Sequence, residues 1–426
     1  MSTALAVRLF ISSAGESNDA VIVGDIYSSD LTGDTRRSIL IPCGTSPKPT
    51  SYQVAPGRYV VSATLPSGMV LTENAVAVPG EETPVNFVMT DSPYETHSWQ
   101  YLMGNIEPDS VYHSGTTIPL AESVASRSMV APAAGPDGEF AEAPVEATAF
   151  ITWIGDAPPA NLSFAAMLEL ENDVPGLARL IAGSAPRVLP TPDVPGEALA
   201  PLYRFGRFGP AAAPGGPIGE RQFLVVEVAG SVRLVTLPLP WGEHEVEVLV
   251  NLRQSPTGSA VAVTVRDPLV GAGLAYMAQG ALDTAAQLFT DVEAMLHSKM
   301  QNPLAAAAGA YVLIGTDHAG GERYWDPWVE TLAAGFPWLA DGAILRAMRL
   351  LRRGSENRQP ARDGLIEAFD RGIPFYTLGL AWLIEGLSAF PDDPECVHRL
   401  DQVRRLSWLA DMREPFLILD LRQRNA

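Results

Sequence analysis

At Asp267-Pro268 the hydrophobic period of this 426-residue chain changes. Before that point apolar residues recur at every second position in short runs such as LAVRLFIS, AVIVGDIY and QFLVVEV; after it they recur every three or four residues. The first spacing places alternate side chains on one face of a strand, and the second lines one face of a helix. One uniform architecture cannot satisfy both. The expectation is therefore a multidomain α+β chain, β-rich first and α-helical afterwards, with Asp267 as the cap and Pro268 as the first residue of the first helix.

Within the β-rich part, LAVRLFIS, AVIVGDIY, SILIPC, GRYVVSATL, MVLTENAVAV and PVNFVM are separated by Gly, Pro, Asn, Asp and Ser, which predicts a β-sandwich over residues 1–91. The stretch VAPGRYVVSATLPSGMVL, in which a Pro-Gly turn feeds a Tyr-bearing strand, resembles carboxypeptidase-regulatory and prealbumin-like modules. That resemblance implies a structural or adhesive role. Residues 92–144 read as an aromatic connector, SPYETHSWQYLMGN, followed by a proline-rich acidic linker over 123–144 without a period to bury. Arg127-Ser128 within it is the expected point of proteolytic access.

A second antiparallel β module is expected over 145–266, with ATAFITWI and LSFAAMLEL as strands and a Pro/Gly-rich insertion at 175–220. Within the insertion, Tyr203 to Phe208 interleaves aromatics with arginines, the composition either of a stacking surface or of a loop pinned by its rings. QFLVVEV with SVRLVTL, and EVEVLVNL with SAVAVTV, read as two hairpins.

From 267 to 426 the sequence reads as about eight helices and no strand. Its first segment, GLAYMAQGALDTAAQLF, resembles a tetratricopeptide repeat: Gly273 and Tyr276 stand at the small and large contact positions, Gly280 at the turn, and Ala285, Leu288 and Phe289 on the second helix. No second copy follows at the same period. The resemblance implies a TPR-like helical domain whose stacked helices bind a protein partner.

Two clusters mark where such a partner would dock. Tyr324, Trp325, Trp328, Phe336 and Trp338 crowd into YWDPWVETLAAGFPWL, where large rings serve either as interface anchors or as packing between helices. Arg346, Arg349 and Arg353 fall on one helix face, suited either to an acidic peptide or to solvent at the helix C-terminus.

The formal charge of −20 opposes general binding to nucleic acid or anionic membrane, which needs a cationic field. Lys48 and Lys299 are the two lysines, so Schiff-base and phosphate-loop chemistry lack candidates. Cys43 and Cys396 cannot build a disulfide framework. The N-terminal residues lack a signal-peptide pattern and the run Leu304 to Gly315 is too short to span a bilayer, so the expected location is cytoplasmic. The Ala/Gly/Pro/Arg bias suggests a bacterial gene.

The nucleophile elbow, phosphate loop and zinc-helix motifs are absent, the six histidines are scattered, and neither a metal nor a cofactor is expected. His318, in the turn Thr316 to Glu322, and Cys396, two residues from His398, are the remaining candidates for chemistry. The expected function is a non-enzymatic protein-binding adaptor or scaffold acting through the helical domain, with oligomeric state open. Two alternatives stand beside it. One is a regulatory substrate or inhibitor in a bacterial antiviral-defence system, cut by a partner protease within 123–144; the other is a hydrolase centred on His318 or Cys396.

Overall fold

The computed structural model describes residues 3–11, 20–28, 36–44, 46–65, 70–89, 116–117, 128–130, 147–157, 162–170, 187–188, 202–205, 221–228, 231–250, 261–265, 267–319 and 321–421. The chain is multidomain α+β, with a β-rich N-terminal region and a helical C-terminal region. It forms two compact units: Met1–Ser110 with Thr264–Thr290, and Val111–Val263 with Asp291–Ala426. The first helices after the change of period pack with the first sheet and so belong to the N-terminal unit.

In the first unit, strands β1 (Ala4–Ile11), β2 (Ala20–Ser28), β3 (Arg37–Gly44), β4 (Thr50–Gln53), β5 (Gly57–Thr64), β6 (Val70–Ala77) and β7 (Glu82–Met89) make one seven-stranded sheet, curled as a half-barrel. Its order is β4-β1-β3-β2-β5-β6. On the opposite edge of β1, β7 runs parallel from Ala4↔Glu82 to Ile11↔Met89. Register aligns Ile22 with Ile41 and Ile26 with Val61, so one face collects fully buried aliphatics. Along β6 the pattern is one-sided: Ala75 and Ala77 are buried while Val76 is exposed.

Helices α2 and α3 of this unit follow the whole β-rich part in sequence; α1 (Phe164–Leu170) belongs to the second unit. Helix α2 (Pro268–Ala278) starts as expected, with the Asp267 carboxylate accepting from the amides of Leu269 and Val270, both at 3.0 Å. Gly280 takes the left-handed turn (φ +74°) into α3 (Leu282–Leu288). Both helices pack on β2.

The second unit begins with β8 (Thr116–Thr117), β9 (Ser128–Val130) and β10 (Ala147–Ala157), and continues after α1 with β11 (Arg187–Val188) and β12 (Leu202–Phe205). Strands β13 (Arg221–Val228), β14 (Ser231–Leu237), β15 (Val246–Val250) and β16 (Val261–Val265) follow. One sheet has the order β11-β10-β13-β14-β17, the last being Ile418–Asp420, with β9 also on β10; the other is β16-β15-β12-β8. The hairpin expected across Ala229-Gly230 is present as β13–β14, paired from Gln222↔Leu237 to Val228↔Ser231.

Two expectations are corrected. LSFAAMLEL contains helix α1, not a strand: Phe164 stacks on Phe369 at 4.6 Å and the helix packs among other helices. A short apolar run fits either period, and helical neighbours decide the outcome. The C-terminal region, expected to hold no strand, supplies β17 (Ile418–Asp420), antiparallel to β14 with Arg233 opposite Asp420. Three residues carry no period to detect.

Besides α1, the described α-helices of this unit are α4 (Val292–His297), α5 (Pro303–Thr316), α6 (Asp326–Gly335), α7 (Ala340–Arg353), α8 (Arg358–Asp370), α9 (Thr377–Ser388) and α10 (Pro394–Ser407). Asp291, Asn302 and Asp393 cap α4, α5 and α10 through their side-chain oxygens. Helix α5 is buried almost all round, from Leu304 through Ile314, so it forms the centre against which the amphipathic helices pack.

Candidate functional site

Helices α4 and α6 lie beside one another and set a row of rings at the surface. Glu293 and His297 are four residues apart on α4 and share a face, while Tyr324, in the turn that leads into α6, lies against Trp328 of its first turn. The Tyr324 ring is 64% exposed and meets Trp328 edge-on at 5.7 Å. Trp328 in turn meets the exposed His297 ring at 5.0 Å. The Tyr324 hydroxyl donates to Glu293. Met300, 57% exposed, follows α4.

The remaining expected docking residues face inward or are held by neighbours. Trp325 is 4% exposed and lies under the Arg349 guanidinium at 4.5 Å. Arg349, 3% exposed, donates to Asp326 at 2.6 Å, to Asp317 at 2.7 Å and to the Gly321 carbonyl at 2.6 Å. Arg353 approaches Asp326 at 3.6 Å, and Arg346 pairs with Glu367. The expected basic face is thus neutralised by carboxylates from other turns and helices. Phe336 is buried, and half-buried Trp338 meets it and Phe375 edge-on.

The turn containing His318 is likewise structural at its carboxylate. Asp317 is held down to about 2 by the hydrogen bonds of Arg323 and Arg349, against the opposing effect of burial. His318 is exposed beside it. Cys396 is fully buried with its thiol pushed up by burial, whereas His398 is on the exposed face of α10 and contacts Gln402 at 3.0 Å. Helical geometry separates residues two apart, so no thiol–imidazole pair forms. Arg127 lies outside the described residues, while Ser128 opens β9, opposite Ala149 of β10. Phe205 is buried in β12; residues 206–208 lie outside the described residues, as do 92–105.

A polar cluster that the sequence did not disclose lies deep in this unit. Asp341, fully buried in the first turn of α7, accepts from the Tyr311 hydroxyl at 2.8 Å and from the amides of Phe375 at 2.7 Å and Tyr376 at 3.3 Å. Burial raises its pKa against these bonds. Arg221 of β13 donates to the carbonyls of Ile373 and Pro374, each at 2.6 Å, and lies over the Phe375 ring at 4.1 Å. Burial lowers it to about 9, with Asp341 opposing, so it stays cationic at neutral pH. A Cβ at Gly379 would stand 2.5 Å from the Tyr311 oxygen, so the hydrogen bond to Asp341 requires glycine there. These buried groups tie the segment between α8 and α9 to the sheet. Asp341 amid the apolar residues of WLADGAIL was its one visible sign.

Residues 272–417 match the family model of the Y4kD C-terminal domain. The match starts inside α2 and stops just before β17, so it takes in both the α2–α3 hairpin and the ring-bearing surface of α4 and α6. No curated protein and no solved structure matches the chain. Among the described residues, no group of three or more His, Cys, Asp or Glu side chains is placed to hold a metal ion, and no helix is long and apolar enough to cross a membrane.

Proposed function

We propose that the Y4kD-like helical region is a protein-docking module and that the chain acts as a non-enzymatic adaptor. The observation that carries this reading is the solvent-facing row of Tyr324, Trp328 and His297. Large rings are costly to leave in water and are over-represented where proteins anchor partners. Interior packing already uses Trp325 and Phe336, so the exposure of Tyr324 is not explained by the needs of the core. The TPR-like α2–α3 hairpin supports the same class of function by resemblance.

A photo-crosslinking residue at exposed position 300, beside the row, in the full chain tests this. Crosslinks to a defined protein that disappear in the Tyr324→Ala/Trp328→Ala double variant support the docking surface. Equal capture by the double variant overturns it.

A further inference from the structure

Helices α2 and α3 come from the middle of the chain yet belong to the N-terminal unit, which is built from Met1–Ser110 and Thr264–Thr290. Helices of 11 and 7 residues are marginal by themselves, so their order depends on what they pack against. Here the hairpin buries Leu274, Tyr276, Met277, Leu288 and Phe289 while both helices rest on β2. Tyr276 is fully buried and its hydroxyl donates to the Thr64 carbonyl of β5. It therefore ties the hairpin to β5, the neighbour of β2 in the sheet.

The two helices are also fastened to each other. A Cβ at Gly273 would come within 2.5 Å of the Phe289 ring, so the crossing is as close as glycine allows. The surrounding strands show the effect. In β2 the five residues from Ile22 to Ile26 are all buried, whereas β6 keeps the alternating burial of a strand with one wet face.

We infer that the α2–α3 hairpin is an internal clasp: a docking element, supplied by residues 264–290, whose receptor is the N-terminal sheet. The consequence concerns proteolysis. A cut anywhere between Ser110 and Thr264 leaves the two pieces joined, because the later piece still inserts its hairpin into the unit formed by the earlier one. Cleavage within 123–144 thus yields a nicked, assembled molecule, not two freed halves.

The test uses the full chain with a site-specific protease sequence inserted between Ser110 and Val111, cut after purification. The two pieces are expected to co-elute in native buffer as one species of the intact mass and to separate in denaturant. Tyr276→Ala should weaken their association roughly 100-fold, as expected for removing a large buried ring. Gly273→Val, which displaces Phe289 without removing an apolar side chain, gives a second variant if Tyr276→Ala does not fold. Separation of the unsubstituted pieces in native buffer overturns the clasp, and so does co-elution equally tight in both variants. A doubled mass places the hairpin on a second copy and overturns the in-chain clasp.

Discussion

Tyr324 and Trp325 are neighbours in sequence and opposites in the fold. Trp325 is covered by Arg349, whose charge is met by Asp317 and Asp326; Tyr324 stands in solvent, bonded to Glu293 and edge-on to Trp328. Both lie in one aromatic cluster, and nothing in its composition separates them. The difference lies in satisfaction. The interior cluster pairs each of its carboxylates with a guanidinium and buries its ring, while the exterior row keeps Tyr324 and His297 exposed on either side of half-buried Trp328. Aromatic and arginine content thus marks where large side chains gather, and the partners within the fold decide whether they bind outward.

The largest break in this contrast should come from Arg349→Ala. Removing the guanidinium takes from Asp317 and Asp326 their shared buried partner but leaves Arg323 and Arg353 beside them, so the cost is about 3 kcal/mol, the lower end for breaking a buried ion pair, and should appear as a lower urea midpoint and Tm. A loss below ~0.5 kcal/mol, the size typical of a surface change, would show that the cluster is not the interior fastening described.

A smaller effect is expected from pH. Asp317 is depressed to about 2 in the folded chain, below its ordinary value of roughly 3.9. Between those values the unfolded chain binds the proton more readily, so this contribution to stability is complete above pH ~4 and is lost as pH falls through about 2. In Asp317→Asn it is missing at neutral pH. The gap in urea midpoint between the parent and this variant should therefore narrow on acidification from pH 5 to 2; a constant gap would contradict the assignment.

The smallest stability change should come from the exterior row. Tyr324→Ala is expected to shift stability by no more than about 0.5 kcal/mol, measured by urea denaturation. A loss of several times that would place Tyr324 with Trp325 as a structural ring and remove the contrast.

Legibility from sequence followed the same line. Strands β1, β2, β3, β5, β6 and β7 were visible because their apolar residues alternate and turn residues bound them; β4, four residues with no buried side chain, was not. Helices α5 to α10 were visible from their spacing of apolar residues, whereas the caps Asn302 and Asp393 emerged only in the structure. Arg346, Arg349 and Arg353 were correctly placed on one side of a helix, but Asp317 and Asp326, which turn Arg349 inward, come from other elements. The buried Asp341 network was not legible, because its members are spread from Arg221 to Tyr376 and each alone has an ordinary setting.

By itself the sequence determined the change from mainly strands to mainly helices, the start of α2 at Asp267-Pro268 and the close-packed α2–α3 pair, because period, capping and small-residue spacing act within a few residues of chain. Only the tertiary structure decided that this pair serves the N-terminal sheet, that β17 returns to β14, and that Trp325 faces inward where Tyr324 faces water. Those outcomes depend on which distant apolar surface and which distant charge each segment meets, and local chain chemistry carries no record of either.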